Sequence, residues 1–137
     1  MTNLFADMKD RKVILSTLWI FAMFNYIYAD ILTFFEPGML EQIMTGSVEG
    51  LQFTQGFLLG VAVLMETAIA MVLLSRVLKY RANRWANIIA GTIHTAAVFL
   101  SMFVGTPALF YVFFGTIEIG CTLFIVWYAW TWTNPEG

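Results

Sequence analysis

Each long apolar segment of this sequence carries a polar side chain near its middle: Asn25, Glu66, His94 and Glu118. An ionisable group at the centre of a bilayer is costly, so such residues usually face the interior of a helical bundle and have a function there. Two carboxyls and one imidazole that meet at this depth could share a proton, hold a cation or act as general acid and base. The sequence therefore predicts a buried site for a proton or a small cation.

The same residues also have simpler interpretations. Polar side chains join membrane helices through hydrogen bonds, and a lone imidazole such as that of His94 is often a satisfied group of the core. A metal site is not expected, because the sequence lacks the paired Glu-x-x-His segments of di-iron bundles and the His-Glu-x-x-His zinc motif. One histidine cannot supply two haem ligands, and no lysine lies within an apolar segment. No cofactor is therefore expected.

Four apolar segments must position these groups. They cover residues 13–35, 53–74, 85–104 and 108–130, and each approaches the ~20 residues that cross ~30 Å of hydrocarbon. The chain is 60% hydrophobic and 12% charged, with a mean hydropathy of +0.77, whereas a soluble domain has about 25% charged residues. The expected fold is all-α: a polytopic membrane protein with a four-transmembrane-helix bundle, in one domain over residues 1–137.

A short amphipathic helix is expected in the outer connection between the first two spans, residues 36–52. Pro37 falls in its first turn and Gly46 ends it, which are the preferred places of these residue types. One side of this helix would carry Met39, Leu40, Ile43 and Met44.

The basic residues predict the orientation. They lie before the first span or between the second and third, at Lys9, Arg11, Lys12, Arg76, Lys79, Arg81 and Arg84. The positive-inside rule then places both termini and the middle loop in the cytoplasm, for a multi-pass protein of the cytoplasmic (inner) membrane. The opposite side carries Glu36, Glu41 and Glu49. Tryptophans near the predicted cytoplasmic ends are typical of interfacial anchors, and these are Trp19, Trp85, Trp127, Trp130 and Trp132.

Residues three, four or seven apart share one face of a helix, and each span has such a face of small and polar residues. In the first span this face holds Trp19, Tyr26, Asp30 and Thr33, with Asn25 at the edge, and in the second Gln52, Gln55, Gly56, Val63, Glu66 and Ala70. In the third span it holds Asn87, Ala90, Gly91, His94, Ala97, Ser101 and Gly105, and in the fourth Tyr111, Gly115, Glu118, Thr122 and Ala129. All four should point at one polar lane that opens to the outer side. The candidate ligand- or proton-binding residues are Glu66, His94, Glu118, Asn25, Asp30, Tyr26, Gln55 and Tyr111.

Several strings of residues carry a family resemblance. They are LSTLWI at 15–20, NYIYAD at 25–30, TQGFL at 54–58, SRVLKYRANRWAN at 75–87, IEI at 117–119 and CTLF at 121–124. With them the chain resembles a family of small, four-span bacterial and archaeal membrane proteins that is defined only as a domain of unknown function. The resemblance implies four membrane helices and no known activity.

The leading functional hypothesis is the binding and movement of a proton-linked small solute or cation. Glu66 and Glu118 would be the protonatable binders, His94 their relay, Asn25 an orienting hydrogen bonder and Asp30 the mouth residue. The alternatives are a membrane-embedded acid–base enzyme acting on a lipid-like substrate, and a non-catalytic accessory or structural subunit. Whether the chain is an enzyme stays open. Expected partners are the lipid bilayer, a small solute, cation or lipid-like ligand, and further copies of the chain in a homo-oligomer, but no nucleic acid.

Overall fold

Four long helices make up most of this protein. The computed structural model describes residues 4–133, with side chains from residue 9 onward. The long helices are α1 (Leu4–Phe34), α3 (Gln55–Val77), α4 (Tyr80–Ser101) and α5 (Leu109–Trp130). Between α1 and α3 lie the short helix α2 (Met39–Met44) and a hairpin of two strands, β1 (Ser47–Val48) and β2 (Leu51–Gln52). The predicted helical class is confirmed.

Three of the long helices are long and apolar enough to cross a membrane. They are Lys9–Phe34 within α1, then α3 and α5 in full. In hydrocarbon a helix satisfies its own backbone hydrogen bonds, which explains why these apolar runs are helical. α4 has a similar length but is less apolar, because Arg81, Asn83 and Arg84 fall in its first turns. The described residues therefore contain three candidate spans by length and composition, whereas the sequence predicts four.

Helices that follow one another in the chain are neighbours in space. α1 packs against both α3 and α5, α4 packs against α5, and α3 touches α4 more sparsely. Leu78 and Lys79 alone join α3 to α4, and residues 102–108 join α4 to α5. Such short links force neighbouring helices to run antiparallel. The result is a ring of four helices with one loosely closed seam.

The buried faces of α1, α4 and α5 follow the predicted spacing. α4 buries its polar and small residues, and α5 buries a similar stripe around Glu118. On α1, Trp19 and Tyr26 are buried as predicted, but Asp30 is exposed and its neighbour Ala29 is buried instead. The buried residues of α4 are Asn83, Asn87, Ala90, Gly91 and His94, and those of α5 are Gly115, Glu118, Cys121, Thr122, Ile125 and Ala129.

The predicted inward face of α3 is wrong. Gly56, Val63 and Glu66 are exposed, and the buried residues are Ala68, Met71 and Ser75. These three lie in the second half of the helix, whereas every residue of its first nine except Phe57 is exposed. α3 is therefore held to the bundle mainly through its second half.

Hydrogen bonds define the two ends of the bundle. Arg11 donates to the carbonyl oxygen of Tyr128, and Arg84 donates to that of Trp130. The beginnings of α1 and α4 thus meet the end of α5 at one end of the bundle, which we call the basic end. The loops 35–54 and 102–108 lie at the other end with Glu36 and Glu49, which we call the acidic end. The extreme termini, predicted to be cytoplasmic, lie outside the described residues.

The connection between α1 and α3 differs in part from its prediction. A helix is present, but it covers only Met39–Met44, and Gly46 ends it with a φ of 83°. The residues that follow form a β-hairpin that we did not predict. Its two-residue turn, Glu49 and Gly50, has positive φ at both positions, 48° and 84°, as the favoured hairpin turns require.

Two of the five tryptophans are buried within the protein. Trp85, Trp127 and Trp130 are exposed, and the Arg84 guanidinium lies 5.0 Å from the Trp130 ring. Trp19 and Trp132 are instead buried in the core. Trp19 is drawn inward because its indole N–H has a buried acceptor on α4.

Candidate functional site

His94 lies at the centre of the bundle and is fully buried. The hydroxyl of Tyr26 lies 3.2 Å from its Nδ1, and the hydroxyl of Thr67 lies 2.8 Å from its Nε2. Thr67 donates its own proton to the carbonyl oxygen of Leu64, so its oxygen must accept from Nε2–H. Nδ1 is then free to accept from the Tyr26 hydroxyl. A neutral imidazole with both nitrogens satisfied therefore links α1 to α3.

A second polar network fills the interior toward the basic end. The indole N–H of Trp19 donates to Oδ1 of Asn87 at 2.8 Å, and the amide of Asn87 donates to Oδ1 of Asn83 at 2.7 Å. The amide of Asn83 donates in turn to the carbonyl oxygen of Ser75, and the Ser75 hydroxyl donates to Asn87. All four side chains are fully buried. Such cross-helix bonds hold membrane helices together and close the interior on this side.

Three buried side-chain atoms of the described residues lack a hydrogen-bond partner: Nε of Arg84, Nε1 of Trp132 and Oε1 of Glu118. The first two are donors near the basic end, and Glu118 alone of the three is an acid. Its side chain is 5% exposed, and within the described residues its Oε1 has no hydrogen-bond partner. Asp30, Tyr26 and Tyr111 are close enough to interact with it electrostatically. A buried carboxylate without a counter-charge is costly, so this position favours a bound proton or a bound cation.

A cavity of about 190 Å³ lies at the acidic end, beneath α2 and the hairpin. Tyr111 lines it and donates a hydrogen bond to Ser101 at 2.7 Å, so one side chain connects the cavity with the surroundings of Glu118. The polar and aromatic lining residues include Thr33, Glu36, Glu49, Phe53, Ser101 and Tyr111. Carboxylates beside aromatic rings are suited to a small cation.

The two loops at the acidic end meet over this cavity. The carboxylate of Glu49 packs directly on Gly105, whose φ is +60°, and a β-carbon there would overlap it. Gly105 is thus required both for its backbone conformation and for the room that it leaves.

Three of the predicted site residues lie elsewhere. Glu66 is on the exposed side of α3, Gln55 is exposed in the first turn of that helix, and the amide of Asn25 donates to the carbonyl oxygen of Phe21 on its own helix. The expectation that Glu66 shares an interior cavity with Glu118 and His94 is therefore corrected. The structure joins His94 to Tyr26 and Thr67 by hydrogen bonds. Asp30, Tyr26 and Tyr111 lie within electrostatic range of Glu118, but among the described residues none of the three shares a hydrogen bond with its carboxyl.

Sequence reasoning missed three members of these networks. Asn83 stands four residues before Asn87 and could have been found from that spacing, whereas Ser75 and Thr67 had no signal beyond being polar. In the part of the chain that the structure describes, no three or more His, Cys, Asp or Glu side chains are grouped so that they could hold a metal ion.

Comparison with known proteins identifies the chain only at the level of a family. A family model described as a family of unknown function (DUF6326) matches residues 2–136, nearly the whole chain. No curated protein and no solved structure matches it. The function must therefore be argued from the residues themselves.

Proposed function

We propose a function from the geometry of the residues. The chain belongs to DUF6326, a family of unknown function, so the family itself supplies no activity. The chain is an integral membrane protein that binds a small monovalent cation at Glu118 and exchanges it for a proton. One observation carries this proposal: the carboxyl of Glu118 is buried while its Oε1 lacks a hydrogen-bond partner in the described chain. A proton and a cation are the two occupants that remove the cost of that burial.

All four long helices cross the membrane in this proposal. α4 contains 22 residues, which corresponds to about 33 Å and matches a bilayer core of ~30 Å. Its polar residues are buried against the other helices, and its exposed face is largely apolar, with Ile89, Ile93, Phe99 and Leu100. Since α4 lies between α3 and α5 and short links join it to both, it must cross wherever they cross.

The cation enters from the acidic end. The 190 Å³ cavity offers Glu36 and Glu49 at its wall, and Tyr111 leads from there toward Glu118 and Asp30. Acidic residues concentrate cations at such a mouth. By the positive-inside rule this end faces away from the cytoplasm, and the basic end faces the cytoplasm.

The proton leaves Glu118 through Tyr26 and His94. Tyr26 is within electrostatic range of Glu118 and shares a hydrogen bond with His94, which bonds in turn to Thr67 on α3. Transfer of the Glu118 proton to the Tyr26 oxygen would pass the Tyr26 proton to Nδ1 of His94 and the Nε2 proton to Thr67. The Thr67 hydroxyl, which donates to the carbonyl oxygen of Leu64, must then rotate away from that carbonyl to release its own proton on the exposed side of α3. In this role His94 is a relay and Glu118 is the binding group.

A homo-oligomer accounts for Glu66. This residue lies at the middle of α3 on an exposed face, and a carboxyl that faces hydrocarbon is costly. A second copy of the chain packed against α3 would remove it from lipid. The unburied first half of α3 leaves room for that copy.

The test uses the purified full chain in proteoliposomes that contain a pH-sensitive dye. An outward proton gradient is imposed, and Na⁺, K⁺ or ethylammonium is added outside. Wild type should release protons with one of these cations, and Glu118→Gln should reduce the rate at least tenfold because an amide cannot exchange a proton. Glu41→Gln is the matched control, because Glu41 is exposed on α2 and outside the cavity lining; it should keep the wild-type rate.

A second measurement separates binding from transport. Infrared difference spectra should show a carboxyl band that changes when the cation is added to wild type and is absent in Glu118→Gln. If Glu118→Gln and wild type give the same spectra and the same flux, the proposal is wrong. The accessory-subunit hypothesis then becomes the better one.

A further inference from the structure

A groove that plays no part in the proposed cation site runs along the outside of α1 and α3. Its volume is about 490 Å³, larger than the cavity at the acidic end. Apolar side chains line most of its length: Ile20, Met23, Phe24 and Ile27 from α1, and Ile69, Val72 and Leu73 from α3. Both helices are candidate membrane spans, so this concave apolar surface faces hydrocarbon.

The groove has one polar end, formed by Ser16 and Arg76. The Ser16 hydroxyl donates to the carbonyl oxygen of Val72 at 2.7 Å, and it accepts a hydrogen bond from Nε of Arg76 at 3.3 Å. Ser16 thereby holds the guanidinium at the mouth of the groove. The Nη1 and Nη2 atoms of Arg76 make no hydrogen bond to any residue between 9 and 133. Both can therefore donate to the oxygens of one external anion in a bidentate arrangement.

The dimensions of the groove fit one leaflet. From Ser16 to Ile27 the helix advances by about 16 Å, at 1.5 Å per residue, and half of a ~30 Å hydrocarbon core is ~15 Å. The groove thus extends from the level of Arg76 to near the bilayer midplane. An acyl chain that lay in it would have its headgroup beside the guanidinium.

We infer that this groove is a binding site for an anionic phospholipid, with the phosphate on Arg76 and one acyl chain between α1 and α3. Charge selects the occupant. The basic end also carries Lys79, Arg81 and Arg84, so its potential favours an anion. A second copy related by a two-fold axis along the groove would bring two Arg76 side chains together, and like charges repel.

The experiment measures which lipid stays with the protein. The purified full chain is exchanged into micelles that contain equal amounts of phosphatidylglycerol and phosphatidylcholine, and native mass spectrometry counts the lipids retained. Wild type should retain one phosphatidylglycerol in preference to phosphatidylcholine. Arg76→Gln should weaken that retention about fivefold, the change expected for one basic side chain at a membrane surface.

Three variants separate this site from general attraction of charge. Arg81→Gln removes an exposed charge of the same end that does not line the groove, and it should behave as wild type. Arg76→Lys keeps the charge but not the paired N–H donors, so it should restore only part of the retention. Ile69→Trp fills the groove without changing any charge and should release the lipid as Arg76→Gln does.

Two results would overturn the inference. Equal losses in Arg76→Gln and Arg81→Gln would mean that the lipid is held only by the overall charge of the basic end. A dimer in the wild-type spectra that Ile69→Trp dissociates would mean that a second copy occupies the groove. Both results are independent of Glu118, so they leave the cation proposal unaffected.

Discussion

Gly91 of α4 packs directly against α5, and replacing it tests the packing of the bundle. In Gly91→Ala the added β-carbon would lie 2.7 Å from Cγ2 of Val126 and 3.3 Å from the carbonyl oxygen of Thr122. Carbon atoms in favourable contact are about 3.5–4.0 Å apart. The Val126 side chain can turn aside, but the backbone of Thr122 cannot, so α4 and α5 must move apart by a few tenths of an ångström.

The magnitude follows from a comparison with a second glycine. Overpacking in a core costs ~1–3 kcal/mol, while replacing glycine by alanine inside a helix gains up to ~1 kcal/mol. Gly120→Ala gains the second contribution alone, because nothing lies within 4 Å of its added β-carbon. The propensity gain cancels in the difference, so Gly91→Ala should be ~1–3 kcal/mol less stable than Gly120→Ala.

The assay is reversible unfolding in mixed micelles, followed by circular dichroism and tryptophan fluorescence, for wild type and both variants. The hydrogen bond of 2.7 Å between Thr95 and Thr122 lies beside Gly91 and should be disturbed in the same variant. Equal stability of Gly91→Ala and Gly120→Ala would refute the close contact of α4 with α5.

Two further substitutions test the networks. Asn87→Leu keeps the branch at Cγ, although its methyl groups are bulkier than the amide, and takes the acceptor from the buried indole of Trp19 and the hydroxyl of Ser75. It should lower the free energy of unfolding by ~2 kcal/mol in the same assay; an unchanged value would mean that these donors find other acceptors. Gly105→Ala should strain a residue with a φ of +60° and displace the carboxylate of Glu49, which costs ~1–3 kcal/mol locally. Hydrogen exchange of residues 102–108 should quicken several-fold, and wild-type protection would contradict the contact between the loops.

The spacing of polar residues predicted the faces of α4 and α5 well. Asn87 and His94 stand seven apart and Gly91 lies between them, so one stripe contains everything that α4 buries in its middle. On α5 the stripe around Glu118 was equally clear. These helices carry enough small and polar residues for periodicity to distinguish the inner from the outer side.

The same reasoning failed on α3 for a physical reason. In a bilayer both the lipid and the bundle interior accept apolar side chains, so hydrophobicity does not mark the buried side. α3 is apolar almost throughout, and Glu66 alone determined the predicted face. The buried residues Ala68, Met71 and Ser75 differ little in polarity from their exposed neighbours.

The hairpin between α2 and α3 was missed for a different reason. Its strands have two residues each, too few for an alternating pattern. Its one signal was the turn pair of Glu49 and Gly50, and glutamate is not among the residues that favour such turns. The apolar side predicted for α2 correctly marked a helix there but could not indicate where it ends.

Because α3 is attached to the bundle mainly through its second half, the helix can tilt as a rigid rod about that end. Ser75, near the end of α3, accepts from the Asn83 amide at its carbonyl oxygen and donates from its hydroxyl to Asn87. Gln55 begins the helix about 30 Å away, at 1.5 Å per residue. A tilt of about 10° around Ser75 would move Gln55 by about 5 Å, while the residues packed around Ser75 would move very little. Thr67 lies between Ser75 and the beginning of the helix, so such a tilt would stretch its hydrogen bond to His94 more than the bonds at Ser75.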